Sequence, residues 1–144
     1  MQLGVLLAGR GAVASARVRN ALAVRGLTLR SVFTLTRVAK EPVSQQSLID
    51  LLGVDPSALV SVLNELEGLG LLARRRDPAD RRRHVVTITP EGTSALTEVD
   101  AILNGADDDL FAALSLDERA QLERLLEKVA DSEGCEKYEP PQPH

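Results

Sequence analysis

Aromatic residues are nearly absent: Phe33, Phe111 and Tyr138 are 2% of the 144 residues, and there is no tryptophan. A core without rings must be built from Leu, Val and Ala, which suits packed helices. The same scarcity argues against a ring-lined ligand pocket. The single cysteine, Cys135, excludes an intrachain disulfide, and with only two histidines no zinc cluster is expected. This usage fits a reducing compartment, so a cytoplasmic location is expected. Met1 to Leu7 has no basic stretch leading into a long apolar run, and no run reaches the ~20 residues of a membrane span. Neither a signal peptide nor a membrane partner is expected. No nucleophile–base pair, metal-ligand spacing or phosphate-cradling loop stands out, so the chain reads as a non-enzyme without cofactor or metal.

What is present is unevenly spread charge. The net charge of −4 is unpromising for a nucleic-acid binder, but residues 1–40 hold seven basic residues and no acid. Residues 74–83 hold six arginines against Asp77 and Asp80, and residues 91–144 hold fourteen acids against four bases. Because screening acts over about 8 Å at physiological salt, local patches decide what binds. One basic face and one acidic end are compatible with DNA.

Hydrophobic periodicity and capping residues predict the elements. Gln2 to Val24 reads as a long helix stopped near Gly26. Thr28 caps a second, with Leu29, Val32, Phe33 and Leu35 as its apolar positions, ended by Pro42. Ser44 caps a short helix, Gln45 to Leu52, with Leu48, Leu51 and Leu52 facing inward. Gly53 permits a sharp turn, Asp55 caps the next helix, and Pro56 takes its first position, where a missing N–H costs nothing. Leu59, Val62, Leu63, Leu66 and Leu69 form that helix's stripe, and Gly70 stops it. Leu71–Arg75 and His84–Ile88 pair as a two-stranded hairpin around Asp77-Pro78-Ala79-Asp80. Thr89-Pro90 starts a long helix with Leu96, Val99, Leu103, Leu110 and Leu114 along its seam and Gly105 as a candidate bend. Ser115 and Glu118 form a capping box for the last helix. The expected fold is mainly α with a small β hairpin: a winged helix-turn-helix over residues 28–92, flanked by helical regions 1–27 and 93–132. A polar, proline-bearing tail over 133–144 is expected to be disordered.

Two surfaces carry the binding chemistry. On the recognition helix, Ser57, Ser61 and Asn64 lie opposite the leucine stripe and are candidates for the major groove; a merely solvated polar face stands beside that reading. Pro56, Ala58 and Val60 are candidates for thymine-methyl contact, and no arginine on this face offers bidentate guanine readout. The helix N-terminus suits a phosphate. The hairpin is the stronger signal: arginines at its tip, Arg74, Arg76, Arg81, Arg82 and Arg83 among them, suit a narrow minor groove. Asp77 and Asp80 are expected to orient neighbouring guanidiniums. His84 is a candidate phosphate contact.

The run Leu52-Gly53-Val54-Asp55-Pro56-Ser57, the segment Gly70 to Arg83 and the closing Thr87-Ile88-Thr89-Pro90-Glu91-Gly92 resemble the MarR family of transcriptional regulators, in its arginine-rich actinobacterial type. The resemblance spans roughly residues 3–130. It implies a sequence-specific regulator of double-stranded DNA, typically a repressor, with Ser44, Gln45, the recognition helix and the wing as the DNA-binding surface. Asp80-Arg81-Arg82 matches the family's D-x-R wing signature, implying that Arg82 enters the minor groove and Asp80 holds it. The chain departs from many relatives in carrying Ala58, Val60 and Ser61 where threonine and arginine stand, which shifts discrimination toward DNA shape.

The resemblance also implies a homodimer joined by the N- and C-terminal helices, a palindromic operator, and release of DNA by a small anionic or lipophilic effector. The apolar seams of the flanking helices agree independently with a dimer, although packing within one monomer is the alternative. Arg10, Arg17 and Arg37 are candidates either for an effector anion or for a surface or DNA-facing role. Two other functions remain open: a winged-helix protein-interaction module, and a redox-responsive regulator using Cys135. Its neighbours Glu133 and Glu136 raise a thiol pKa and favour a passive tail residue.

Overall fold

Short polar side chains set where the helices begin. In the computed structural model, which describes residues 1–130, Thr28 and Ser31 cap each other: the Ser31 N–H donates to Thr28 Oγ1 and the Thr28 N–H to Ser31 Oγ. This box opens α2 (Leu29–Lys40), after α1 (Leu3–Ala23). Between them Gly26, at φ 67°, turns the chain so that the Leu27 N–H reaches back to the Leu22 carbonyl. Pro42 cannot continue α2. Ser44 Oγ accepts from the Ser47 N–H to start α3 (Gln45–Leu52). Gly53, at φ 60°, closes α3, Asp55 caps α4 (Pro56–Gly68), and the α3 and α4 axes bend by 116°. That angle lies within the helix-turn-helix range.

Gly70, at φ 75°, then reverses the chain into β2 (Leu72–Arg76), which pairs antiparallel with β3 (His84–Ile88), and α5 (Pro90–Leu110) follows. The sheet has three strands rather than the two read from the sequence. Val43 and Ser44 form a two-residue strand, β1, opposite Val86 and Val85, in the order β1-β3-β2. A strand that short, directly after a proline, has no alternation to read.

The chain divides after Leu110 into two compact units. The first holds a core whose hydrophobic members are all aliphatic, with Leu22, Leu35, Leu48, Leu59, Leu63, Leu66, Val86 and Val99 fully buried. Each such side chain contributes about 1.5–3 kcal/mol on burial. In α2 the inward face is Ser31, Thr34, Leu35 and Val38, spaced i, i+3, i+4, i+7. Phe33 therefore points outward at 57% exposure, and Leu29 is also exposed. The inward reading of Leu51 is corrected: Leu48 is buried with Leu52 packed against it one turn on, and Leu51 is 57% exposed. The second unit contains α6 (Leu116–Ala130), whose capping box forms as expected: Ser115 N–H donates to Glu118 Oε1 and Glu118 N–H to Ser115 Oγ. Leu114 is not part of α5, which ends at Leu110.

One junction fixes the wing against α5. Thr89 Oγ1 donates to the Gly70 carbonyl at 2.6 Å, the Thr89 N–H to the Leu71 carbonyl at 3.2 Å, and the Gly92 N–H returns to Thr89 Oγ1. Gly92 is buried, and a Cβ there would lie 2.0 Å from the Leu71 oxygen and 2.7 Å from Ile88 Cγ1. Backbone cannot yield as a side-chain tip can. Gly92→Ala is expected to destabilise the fold by about 1–3 kcal/mol. Gly105→Ala, with open space at its Cβ, is expected to stabilise α5 by up to about 1 kcal/mol. Thermal melts of both variants check the pair; equal midpoints would remove the assigned close approach.

Candidate nucleic-acid interface

The exposed side of α4 presents Ser57, Ser61 and Asn64, one or two turns apart, opposite buried Leu59, Val62, Leu63 and Leu66. The spacing brings these three candidates onto one face. Pro56 is exposed at the start of the helix, while Ala58 and Val60 are half-buried at its shoulder.

The α4 N-terminus is less open to phosphate than its sequence implied. Asp55 Oδ2 accepts from both the Ser57 N–H and the Ser57 hydroxyl. The Ser57 hydroxyl, with these backbone N–H groups, holds the Asp55 carboxyl below its ordinary value. A fixed carboxylate therefore sits on the positive end of the helix dipole. The α3 N-terminus differs. Its cap, Ser44, is neutral, and its first turn has no acid. Ser44 and Gln45 thus flank a helix end that still attracts an anion.

In the wing the aspartates serve the backbone. Asp77 Oδ1 accepts from the Ala79 N–H at 2.9 Å and Asp80 Oδ1 from the Arg82 N–H at 3.0 Å. The Asp77 N–H closes the loop onto the Arg83 carbonyl. The expectation that these carboxylates grip guanidinium forks is corrected: among the described residues neither is in an ion pair. A short aspartate side chain reaches the amide two residues on more readily than a long arginine head. Asp80 does hold Arg82, but by its main chain. Arg75, Arg76, Arg81, Arg82 and Arg83 are exposed and without an ion-pair partner among the described residues. His84 is exposed opposite Arg76.

Arg74 is the exception. It is half-buried on β2 and lies across α4, with Nε donating to Glu67 Oε2 at 3.0 Å and Nη2 to Asn64 Oδ1 at 2.6 Å. Sequence reading assigned both Arg74 and Asn64 to DNA without seeing that they meet, and it missed Glu67. The readable signal was Asn64 and Glu67 at i, i+3 on the helix whose chain reverses at Gly70 into the arginines. Of the other arginines, Arg37 pairs with Glu41 at 3.1 Å. Arg17 lines a cavity of ≈ 450 Å³ with Asn20, Ala21, Ile102, Ala106 and Asp109. Cys135 and the 133–144 tail lie outside the described residues.

A helix-turn-helix followed by a basic β2–β3 hairpin, whose β3 also pairs with β1 ahead of the helices, defines a winged-helix DNA-binding protein. The MarR family model matches residues 25–83. The chain is 36% identical over 123 residues to a Thauera aromatica protein named for regulation of the hcr operon, covering 83% of this chain and 74% of that protein. It is 32% identical over 128 residues to the HTH-type transcriptional repressor Rv2887 of Mycobacterium tuberculosis, covering 88% and 92%. The Rv2887 structure in complex with p-aminosalicylic acid aligns at a TM-score of 0.71 with 30% identity, over 91% of this chain and 100% of that one. A MarR variant of Escherichia coli solved with operator DNA aligns at 0.72 with 26% identity, over 88% and 92%. The chain belongs to the MarR family and is a DNA-binding transcriptional regulator.

The Arg74 hydrogen bond is the first cause of a Glu67 carboxyl lowered from its ordinary 4.5, with charge attraction adding to it. A depressed carboxylate stabilises the fold above its unfolded pKa, and that contribution is lost as pH falls through the lower, folded value. Arg74→Met is expected to return the Glu67 titration toward 4.5, read by NMR of the side-chain carboxyl carbon; an unmoved midpoint would remove the clamp.

Proposed function

We propose that the chain is a homodimeric repressor of the arginine-rich actinobacterial type, binding a palindromic operator and released from it by a small-molecule effector. The observation that carries the DNA face is five exposed guanidiniums without an ion-pair partner among the described residues, two at the end of β2 and three on a loop shaped by Asp77 and Asp80, beside the exposed polar stripe of α4. Ser57, Ser61 and Asn64 face the major groove, with Pro56 and Ala58 at its edge. Ser44 and Gln45 meet a backbone phosphate at the α3 N-terminus. Arg76, Arg81, Arg82 and Arg83 meet the minor groove and its phosphates, with Asp80 fixing the Arg82 main chain. Arg74 joins the two surfaces through Asn64.

The dimer is supported by apolar side chains that are exposed among the described residues. Leu3, Val5, Leu6 and Leu7 on α1 are exposed, Leu3 to 79%, and only Leu22 of that helix is buried. In the second unit, Leu116, Leu125, Leu126 and Val129 of α6 are exposed as well. Residues 1–27 and 93–132 form the dimerisation region, and 28–92 the DNA-binding domain. Twofold symmetry places equivalent recognition helices about 34 Å apart, one turn of DNA, and so requires a palindrome.

Repression is supported by the mycobacterial relative described as a repressor, and an effector by that relative's complex with p-aminosalicylic acid. The α1–α5 cavity beside Arg17 is the candidate effector site. No single helix among the described residues is long and apolar enough to cross a membrane, and a cytoplasmic location follows from the role in transcription.

Arg82→Ala is expected to weaken operator binding and to reduce the slope of log affinity against log salt by about 1. Unchanged affinity across a salt titration would defeat the wing assignment. Light scattering at micromolar concentration is expected to give twice the 15.5 kDa chain mass; a monomeric mass would remove the palindrome.

A further inference from the structure

Asn64 ends the exposed Ser57–Ser61–Asn64 stripe of α4 with its amide oxygen already taken. Arg74 Nη2 donates to Oδ1 at 2.6 Å while its Nε is anchored on Glu67 at 3.0 Å. A guanidinium has five N–H donors and no acceptor. Only the oxygen of an amide can face it, so the amide orientation follows from the chemistry of the neighbour. The Nδ2 group, with two donors, is left toward solvent, and no partner among the described residues takes it up.

We infer that Arg74 makes Asn64 a donor-only reader of the major groove, which selects guanine and rejects adenine at the base pair it meets. The inference rests on the DNA-binding reading of this face. An asparagine reads adenine by using both ends of its amide, the oxygen accepting from N6 and the nitrogen donating to N7. Here the oxygen is committed to a cation, and that cation lies where the adenine amino group would have to approach. The guanidinium's full charge then opposes the partial positive charge of the amino hydrogens. Guanine presents O6 and N7, both acceptors, to the free NH₂, and the nearby guanidinium favours O6. The sequence alone placed no guanine reader on this helix, since it bears no arginine. The structure brings one from the adjoining strand and uses it to set the asparagine.

The test is selection of bound duplexes from a randomised library, with the full chain and three variants checked for helical content by circular dichroism. The unsubstituted protein is expected to enrich guanine at one position in each half-site, by about fivefold or more over adenine. Asn64→Asp exchanges donors for an acceptor and is expected to move the preference there to cytosine, whose N4 amino group donates. Arg74→Met frees the amide oxygen and is expected to shift the same position toward adenine. Arg74→Lys keeps a donor-only cation and is expected to retain guanine. An Asn64→Asp profile identical to that of the unsubstituted protein overturns the proposal, as does guanine retained in Arg74→Met. If Arg74→Met does not fold, the exposed Asn64→Asp substitution still decides. Failure of the unsubstituted chain to enrich any sequence would instead defeat the DNA-binding reading beneath it.

Discussion

The carbonyl of Leu71 is the point on which the wing's placement depends. It accepts the Thr89 N–H, and the Cα of Gly92 presses against it so closely that no side chain fits between. Through it the end of α4, the start of β2, the end of β3 and the first turn of α5 meet at one place. Gly70 makes that possible by turning the chain at positive φ immediately before it. The Thr89 hydroxyl then links the Gly70 carbonyl to the Gly92 amide. The base of the wing is in this way tied to the first turn of α5 by main-chain and hydroxyl contacts rather than by side-chain packing alone.

A second connection runs along the side of the wing. Arg74 spans from β2 to Glu67 and Asn64 on α4. An exposed ion pair of this kind adds little stability, typically less than about 1 kcal/mol. Its value lies in direction: it fixes the orientation of an amide on the exposed polar side of α4.

Much of the fold is legible in the sequence because local chemistry and global packing agree. Thr28, Ser44, Asp55 and Ser115 each announce a helix start, and Gly26, Gly53 and Gly70 each take the positive φ their turns require. The failures share a cause. Leu51 reads as an inward residue because it is apolar, although its angular position on α3 points elsewhere. The two residues of β1 form a strand only because β3 is beside them. At the candidate interface, residue types were legible and partnerships were not. Asp77 and Asp80 look like guanidinium holders in one dimension, whereas turn geometry places amides nearer to them. Asn64, Glu67 and Arg74 are separated by a chain reversal, and only its geometry reveals the contact.

The loop from Asp77 to Arg83 illustrates how ordering is divided between main chain and side chain. Its backbone is fixed in the free protein by two carboxylates and a main-chain bond across the loop. Arg81, Arg82 and Arg83, which it carries, are exposed and outside any ion pair among the described residues. Ordering such a long side chain costs up to about 2 kcal/mol. With the main chain already held, the conformational cost of any contact made through this loop is concentrated in its side chains.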